Sequence, residues 1–228
     1  MYGIITGDII NSRRIDAKAR EYLYAALQQF LKTLQVEGWL KKVEQTGGDS
    51  FQCEVVDVKQ VLRIALMIKC FVKANTITAP SSKQADATKK TLPATANAGV
   101  RIAASIGGVD FMKKKLSASD GEAFILASEA LATLKTTYSE LALLTSQPLL
   151  NASLASTIVL LDALAQKYFG RQAAVILQKL QFKKEEEVAT IMGISQPGVN
   201  QAAKSAQWYA VEIALKYIED QITLAYAC

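Results

Sequence analysis

The sequence predicts an α+β domain over residues 1–146 and an all-helical domain over residues 147–228. In the first segment, short apolar runs typical of buried strands alternate with amphipathic stretches of helical period. After Pro148 the chain is rich in alanine and leucine and shows no strand pattern. Hydrophobic residues make up 50% of the chain and charged residues 21%, which is typical of packed globular domains.

A strand and a helix are predicted first. Tyr2–Thr6 is an apolar run that ends at Gly7-Asp8, which indicates a buried strand followed by a turn. Asp16 can then cap a helix. The apolar side chains of this helix recur at three- and four-residue spacing, at Ala19, Tyr22, Leu23, Ala26, Leu27, Phe30, Leu31 and Leu34.

A hairpin and a second helix follow. Strand-forming residues over 42–46 and 51–56 flank Gly47-Gly48-Asp49-Ser50, where the glycines permit the positive φ of a tight turn. Residues 58–73 place apolar side chains on one face and predict a helix. Residues 75–96 are rich in threonine, alanine, serine, lysine and proline without any period, so we expect an exposed, mobile loop there.

The end of the first segment completes a layered fold. Strand-like alternation resumes over residues 100–106, Ser119 or Asp120 is the expected cap of a third helix, and residues 141–145 predict a last strand. The order strand, helix, strand, strand, helix, strand, helix, strand fits a ferredoxin-like sandwich, with an antiparallel sheet and helices on one face.

Residues 185–206 have the spacing of a helix-turn-helix. Ala189 is small where two helices must cross, Gly193 supplies the turn, and Val199 of the second helix packs into the core between them. The side chains that this second helix offers to DNA are Ser195, which is also its cap, Gln196, Asn200, Gln201 and Lys204.

Charge in the helical segment opposes DNA binding. Residues 151–228 carry 7 basic and 7 acidic side chains, and Glu185–Glu187 would repel phosphate if they faced DNA. A helical packing or dimerisation role therefore competes with DNA binding. The final helix, over residues 208–225, has an apolar seam at alternating three- and four-residue steps, which forms either internal core or a homodimer contact.

Composition excludes several classes of protein. Histidine is absent, which excludes serine-histidine triads, cysteine-histidine pairs and histidine metal sites. Cys53, Cys70 and Cys228 are too widely spaced for a disulfide framework or a zinc knuckle, so we expect reduced, mostly buried thiols. No apolar run approaches the roughly 20 residues of a membrane helix, and a signal peptide is not evident. The sequence predicts a soluble, cytoplasmic protein without a membrane partner.

Two acidic turns are the candidate metal ligands. Asp8 and Asp49 each follow a glycine at the end of a strand-like run, and carboxylates at neighbouring strand ends can hold a divalent ion such as Mg²⁺ and, through it, a phosphate. The alternative is that each aspartate is an ordinary turn residue.

Positive charge surrounds these turns. Residues 1–150 carry 19 basic and 14 acidic side chains, so the net charge of +5 belongs to this segment. The predicted nucleotide or phosphate contacts are Asn11, Ser12, Arg13 and Arg14 after the first strand, and Gln45, Gly47 and Gly48 at the hairpin. The alternative is a solvated basic loop. Lys113–Lys115 is either a solvated charge run or an electrostatic contribution to nucleic-acid or polyphosphate binding.

The first segment resembles the catalytic palm of class III nucleotide cyclases, GGDEF-type diguanylate cyclases and the CRISPR polymerase. The resemblance is carried by Asp8-Ile9, Gly48-Asp49, Val100–Gly107 and Gly121–Ala127. It implies two metal-binding aspartates and places Gln45 where cyclases have a base-reading lysine. With its terminal helix-turn-helix, the whole chain resembles the SatD family of bacterial proteins.

Departures from the palm pattern weaken the case for catalysis. Ile125 and Glu129 stand where cyclases usually place an asparagine and an arginine, and Ser50 replaces the glutamate of GGDEF. The loss of an arginine that stabilises phosphoryl charge can cost several orders of magnitude in rate. We therefore expect a DNA-binding regulatory protein with a nucleotide- or metal-sensing, catalytically degenerate domain. The alternatives are an active nucleotidyl cyclase or polymerase-type enzyme that uses both aspartates, and a scaffold that only assembles an oligomer.

Overall fold

The computed structural model describes residues 1–75, 98–168 and 170–226. The loop expected over residues 75–96 lies, from residue 76 onward, outside the described residues. The described strands are β1 Tyr2–Ile10, β2 Leu40–Thr46, β3 Ser50–Val55, β4 Gly99–Gly107 and β5 Leu141–Thr145. The described α-helices are α1 Ala17–Val36, α2 Val61–Asn75, α3 Glu122–Leu134, α4 Pro148–Gln166, α5 Gly170–Leu180, α6 Glu185–Met192, α7 Gln196–Ser205 and α8 Trp208–Tyr226. The α+β class is confirmed.

The strands form one mixed sheet in the order β2-β3-β1-β4-β5. β1 pairs antiparallel with β3 and with β4, and β2 pairs antiparallel with β3. β5 runs parallel to β4, so the prediction of a wholly antiparallel sheet is wrong at this edge. The reason is the intervening helix, α3, which returns the chain to the end of the sheet where β4 begins.

Helices cover both faces of the sheet, whereas the sequence predicted helices on one face. Successive side chains of β1 alternate between the faces. Ile5 and Ile9 pack in a core with residues of α1 and α2, and Ile4 packs with Phe124 of α3 on the opposite face. Asp8 shares the face of Ile4, which places it on the side that α3 covers.

Most local predictions for the helices and turns are confirmed. The Asp16 carboxylate accepts hydrogen bonds from the backbone N–H of Lys18 at 3.1 Å and of Ala19 at 3.2 Å, and so caps α1. Gly47 and Gly48 have φ of 64° and 85°, as the tight hairpin requires.

The predicted cap of α3 is wrong. Gly121 is the N-cap of this helix, with φ of 136°, and no side chain caps it. The Asp120 carboxylate instead accepts from the Gly121 N–H at 2.8 Å. A Cβ at Gly121 would lie 2.6 Å from backbone atoms of Val109 and Asp110, so only glycine fits this position.

The helical segment packs directly on the first segment. α5 lies against α2, and α4 lies against β5. Buried residues from both sides of position 146, among them Ile68, Leu143, Ile158 and Ile176, belong to one continuous hydrophobic cluster. The boundary between residues 146 and 147 stays a prediction.

The apolar seam of α8 is internal core. Trp208, Val211, Leu215, Ile218 and Ile222 are buried. A dimer contact through this helix would therefore have to use its opposite face.

One described helix, α4, is long and apolar enough to span a membrane, although the sequence predicted no such run. Only 33% of its most apolar 18-residue window is buried. The length and composition of one helix do not establish a membrane span, because core helices of soluble proteins meet the same criterion. α4 also carries a buried Asp162 that pairs with Lys69 of α2. The cytoplasmic location stays a prediction.

The buried cysteines lead to a labelling prediction. Cys53 and Cys70 are free and buried, and burial raises the pKa of the Cys70 thiol to about 12 and that of Cys53 further. The thiolate is the reactive form, so iodoacetamide at pH 8 should modify neither residue in the folded protein and both in urea. Peptide mass spectrometry reads out each site separately. Labelling of either cysteine without urea would contradict the burial described here.

Candidate functional site

Asp8 lies within a strand rather than in a turn after it. β1 continues to Ile10 because β3 and β4 both extend the ladder past Gly7. Asp8 consequently lies opposite Ser50 on β3 and opposite Arg101 on β4. The strand ending predicted at Gly7-Asp8 is wrong.

Each carboxylate oxygen of Asp8 faces a cation. Oδ1 lies 3.4 Å from Nη1 of Arg101, and Oδ2 lies 3.3 Å from Nζ of Lys135. Arg101 is the cross-strand neighbour, and Lys135 is the C-cap of α3 on the same face. The Asp8 side chain is 16% exposed and that of Lys135 is 52% exposed, so the cluster is open to solvent at Lys135.

Asp49 lies at the same end of the sheet. Its backbone carbonyl accepts a hydrogen bond from the Ile9 N–H at 3.0 Å, which ties the hairpin loop to β1 beside Asp8. The Asp49 carboxylate accepts from the Ser12 hydroxyl at 3.0 Å and from the Ser50 hydroxyl at 3.4 Å. The structure therefore brings both predicted aspartates to one sheet end, where Ser12 contacts Asp49.

The loop after β1 presents two guanidinium groups. Asn11 adopts a left-handed conformation with φ of 54° and begins a short 3₁₀ turn over Ser12–Arg14. The side chains of Arg13 and Arg14 are exposed. The Arg14 N–H donates to the Asn11 carbonyl and the Ile15 N–H donates to the Ser12 carbonyl, so these two amides are used inside the turn. The loop can offer an anion the positive charge of its two guanidinium groups.

A groove of about 610 Å³ lies between α1 and the hairpin. Its polar lining includes Arg20, Gln45 and the backbone of Gly48. Gln45 donates through Nε2 to the Gly48 carbonyl at 2.6 Å, so this amide group stabilises the hairpin in the structure described. A Cβ at Gly48 would lie 2.8 Å from the Tyr24 ring, so the hairpin and α1 approach each other closely here.

The residues present do not fit a resident divalent ion at Asp8. Both of its oxygens already face positive side chains, and those of Asp49 face hydroxyl groups. Among the described residues, no group of three or more acidic, cysteine or histidine side chains could hold a metal. Magnesium stays a prediction from the sequence.

The positions that depart from the cyclase pattern line a different groove. Ile125 and Glu129 of α3 border a groove of about 340 Å³ together with Gln52, Ser117 and Asp120. No lysine or arginine is among the described residues that line it. Lys113–Lys115 are exposed, and the Lys113 ammonium lies 5.5 Å from the centre of the Phe111 ring.

Helices α6 and α7 form a compact pair with one polar face. Gly193 turns the chain with φ of 60°, and the Ser195 hydroxyl caps α7 by accepting from the Gly198 N–H at 3.3 Å. Buried side chains of the pair include Val188, Val199, Ala202 and Ala203. The side chains predicted to face DNA are exposed: Ser195, Gln196, Asn200, Gln201 and Lys204.

Two further contacts shape this face. Asn200 donates to a Glu185 carboxylate oxygen at 3.4 Å, which places an acidic group beside α7. Arg171, at the start of α5, is exposed and lines a groove of about 330 Å³ with Gln201 and Ser205. Arg171 is a candidate phosphate contact that motif spacing did not indicate, because it belongs to the preceding helix.

Comparison with protein-family models, with curated proteins and with solved structures returned no match.

Proposed function

We propose that this chain is a DNA-binding regulatory protein whose first domain binds a nucleotide without turning it over. The observation that carries the proposal is the face of α7, which buries Val199 and Ala202 and exposes Gln196, Asn200 and Gln201. Asparagine and glutamine can contact adenine with two hydrogen bonds in the major groove. Here α6 and α7 act as a helix-turn-helix, and α7 is the recognition helix.

The net charge of the residues around α7 is more favourable to DNA binding than the zero net charge of residues 151–228. Residues 170–207 carry five basic side chains, Arg171, Lys179, Lys183, Lys184 and Lys204, against three acidic ones, Glu185–Glu187, for a net +2. The acidic side chains of the segment that lie outside this range are Asp162, Glu212, Glu219 and Asp220. The range from α5 to α7 therefore carries a small net positive charge, within which Lys179 is paired with Glu185 at 3.9 Å.

The nucleotide-binding part of the proposal rests on the end of the sheet around Asp8 and Asp49. A ferredoxin-like palm is supported by the order and antiparallel directions of β2, β3, β1 and β4, beside which β5 is a parallel edge strand. This supports the resemblance to cyclase palms, and the SatD resemblance stays part of the proposal. The phosphates would be neutralised by positively charged side chains near the two aspartates, because the aspartate oxygens already face cations or hydroxyl groups.

Catalytic degeneracy is proposed from the side chains around α3. Ile125 and Glu129 supply no positive charge, and the groove beside them contains no described cation. Phosphoryl transfer depends on such charge at the transition state. Incubation with each nucleoside triphosphate and Mg²⁺ should release no pyrophosphate above background; release would favour the active-enzyme alternative.

A homodimer through α8 is part of the same proposal. The outer face of this helix exposes Tyr209, Ile213, Tyr217 and Leu224, which are 76%, 51%, 42% and 72% exposed. Paired recognition helices are the usual arrangement for binding a two-fold symmetric DNA site.

Fluorescence anisotropy with labelled genomic fragments tests the proposal. We expect affinity to fall steeply between 50 and 200 mM salt, because phosphate contacts release counterions. Added nucleotide should change the DNA affinity by about 5- to 150-fold in either direction, since coupling between two sites commonly amounts to about 1–3 kcal/mol. Absence of binding to every fragment at low salt would contradict DNA binding.

A further inference from the structure

We propose that Arg101 and Lys135 take the place of a divalent ion at Asp8, so that this site binds the phosphates of a nucleotide, or inorganic polyphosphate, as a metal-free anion. The inference rests on the proposed nucleotide-binding function and specifies its chemistry. It replaces magnesium, which the sequence predicts, with two side chains of the protein.

The positions of the two cations carry the inference. A Mg²⁺ ion binds carboxylate oxygens at about 2.1 Å. The Asp8 oxygens already lie 3.4 Å from the Arg101 guanidinium and 3.3 Å from the Lys135 ammonium, so a bound ion would lie against one or both positive groups. Repulsion between these charges disfavours the ion unless both side chains move away.

The same geometry leaves positive charge for an anion. One carboxylate faces two cations, which gives the cluster of Asp8, Arg101 and Lys135 a net charge of +1. Asp49, at the same sheet end, offsets this charge, and with Arg13 and Arg14 the six side chains sum to +2. The Lys135 side chain is half exposed, so its ammonium can contact a ligand from solvent directly. Arg13 and Arg14 are exposed on the loop that follows β1 and can add to the charge.

Asp8 is a positioning residue in this arrangement. It faces Arg101 directly across two paired strands, which holds the guanidinium at the sheet end. A guanidinium offers two parallel N–H donors to a phosphate group, whereas an ammonium acts as a point charge. An oligophosphate, with several adjacent negative charges, matches the group of cations better than a single phosphate does.

Titration calorimetry with ATP and with inorganic tripolyphosphate, in EDTA and in excess Mg²⁺, tests the proposal on the full chain. We expect both ligands to bind in EDTA, and binding to be about tenfold weaker in Mg²⁺, because the ion neutralises part of the ligand's charge. Higher ionic strength should weaken the binding in EDTA.

Three variants distinguish phosphate binding by Arg101 and Lys135 from phosphate binding through a Mg²⁺ ion at Asp8. Lys135→Gln and Arg101→Gln should each weaken binding in EDTA by about tenfold, which corresponds to the loss of one charge-assisted contact. Asp8→Asn should keep this binding or tighten it, because the asparagine amide oxygen can still accept a hydrogen bond from Arg101 and hold it in place, while the negative charge that competes for both cations is removed. Lys216→Gln, which removes one positive charge from α8, is the matched control and should leave binding unchanged.

The outcomes distinguish failure of the inference from failure of the proposed function. Binding that requires Mg²⁺ and is abolished by Asp8→Asn would overturn the inference and leave nucleotide binding standing. Absence of binding in both EDTA and Mg²⁺ would overturn nucleotide binding itself. Thermal melts verify that each variant is folded, and Lys135→Gln changes an exposed side chain, so it tests the inference even if Asp8→Asn does not fold.

Discussion

Replacing Lys69 by methionine is expected to lower the free energy of unfolding by about 3–5 kcal/mol, because it removes the cation from a buried ion pair. The Lys69 side chain is fully buried in α2. Its ammonium lies 2.6 Å from Glu140 and 3.3 Å from Asp162. Methionine fills a similar volume, so the lost free energy of unfolding comes mainly from the two carboxylates that are left without their cation.

This cluster joins three parts of the fold. Glu140 directly precedes β5, and Asp162 belongs to α4 in the helical segment. The Asp162 carboxylate also accepts from the Glu140 N–H at 2.7 Å and from the Gln166 side chain at 2.9 Å. Removing Lys69 should therefore weaken the contact between the two segments as well as the core of the first.

Urea unfolding followed by circular dichroism measures the effect. Lys59→Met is the matched control, because Lys59 forms an exposed ion pair with Asp57, and such pairs contribute about 0–1 kcal/mol. A loss below about 1 kcal/mol in Lys69→Met would mean that the buried carboxylates find other partners.

The sequence predicted the five described strands and helices α1, α2, α3, α6, α7 and α8, since each has a strong local signal; α4 and α5 were predicted only as part of an all-helical segment. The stripe of α1, the glycines of the hairpin and the cap at Ser195 act over a few residues, so spacing alone is sufficient. The direction of β5 and the face that α3 covers depend on how distant elements pack. Local periodicity does not specify either of them.

The sequence predicted the two aspartates of the candidate site but not the partners of Asp8. Spacing identified Asp8 and Asp49, and topology brought them to one sheet end, as expected. The partners of Asp8 were missed, because Arg101 and Lys135 lie about 93 and 127 positions away in sequence. The register of β1 against β4 could have indicated Arg101 once the two strands were assumed to be neighbours.

Substitutions on α5 and α7 should separate phosphate contacts from base contacts. Arg171→Ala and Lys204→Ala are each expected to weaken binding to every DNA sequence and to reduce the magnitude of the salt slope by about 1, because each removes one phosphate contact. Gln201→Ala should cost about 1–3 kcal/mol at a preferred site and leave binding to unrelated DNA nearly unchanged, because base contacts carry the sequence information. All three side chains are exposed or line an open groove, so the fold should tolerate their replacement.

Anisotropy titrations at several salt concentrations, with a selected site and with an unrelated duplex, measure both effects. Lys32→Ala is the control for a lost charge, because Lys32 is exposed on α1 and belongs neither to α5 and α7 nor to the proposed dimer face of α8. If Lys32→Ala weakens binding as much as Lys204→Ala does, the interaction responds to net charge and α7 does not define the DNA-binding face. If Gln201→Ala weakens binding to both duplexes equally, α7 contacts the backbone and sequence is recognised elsewhere.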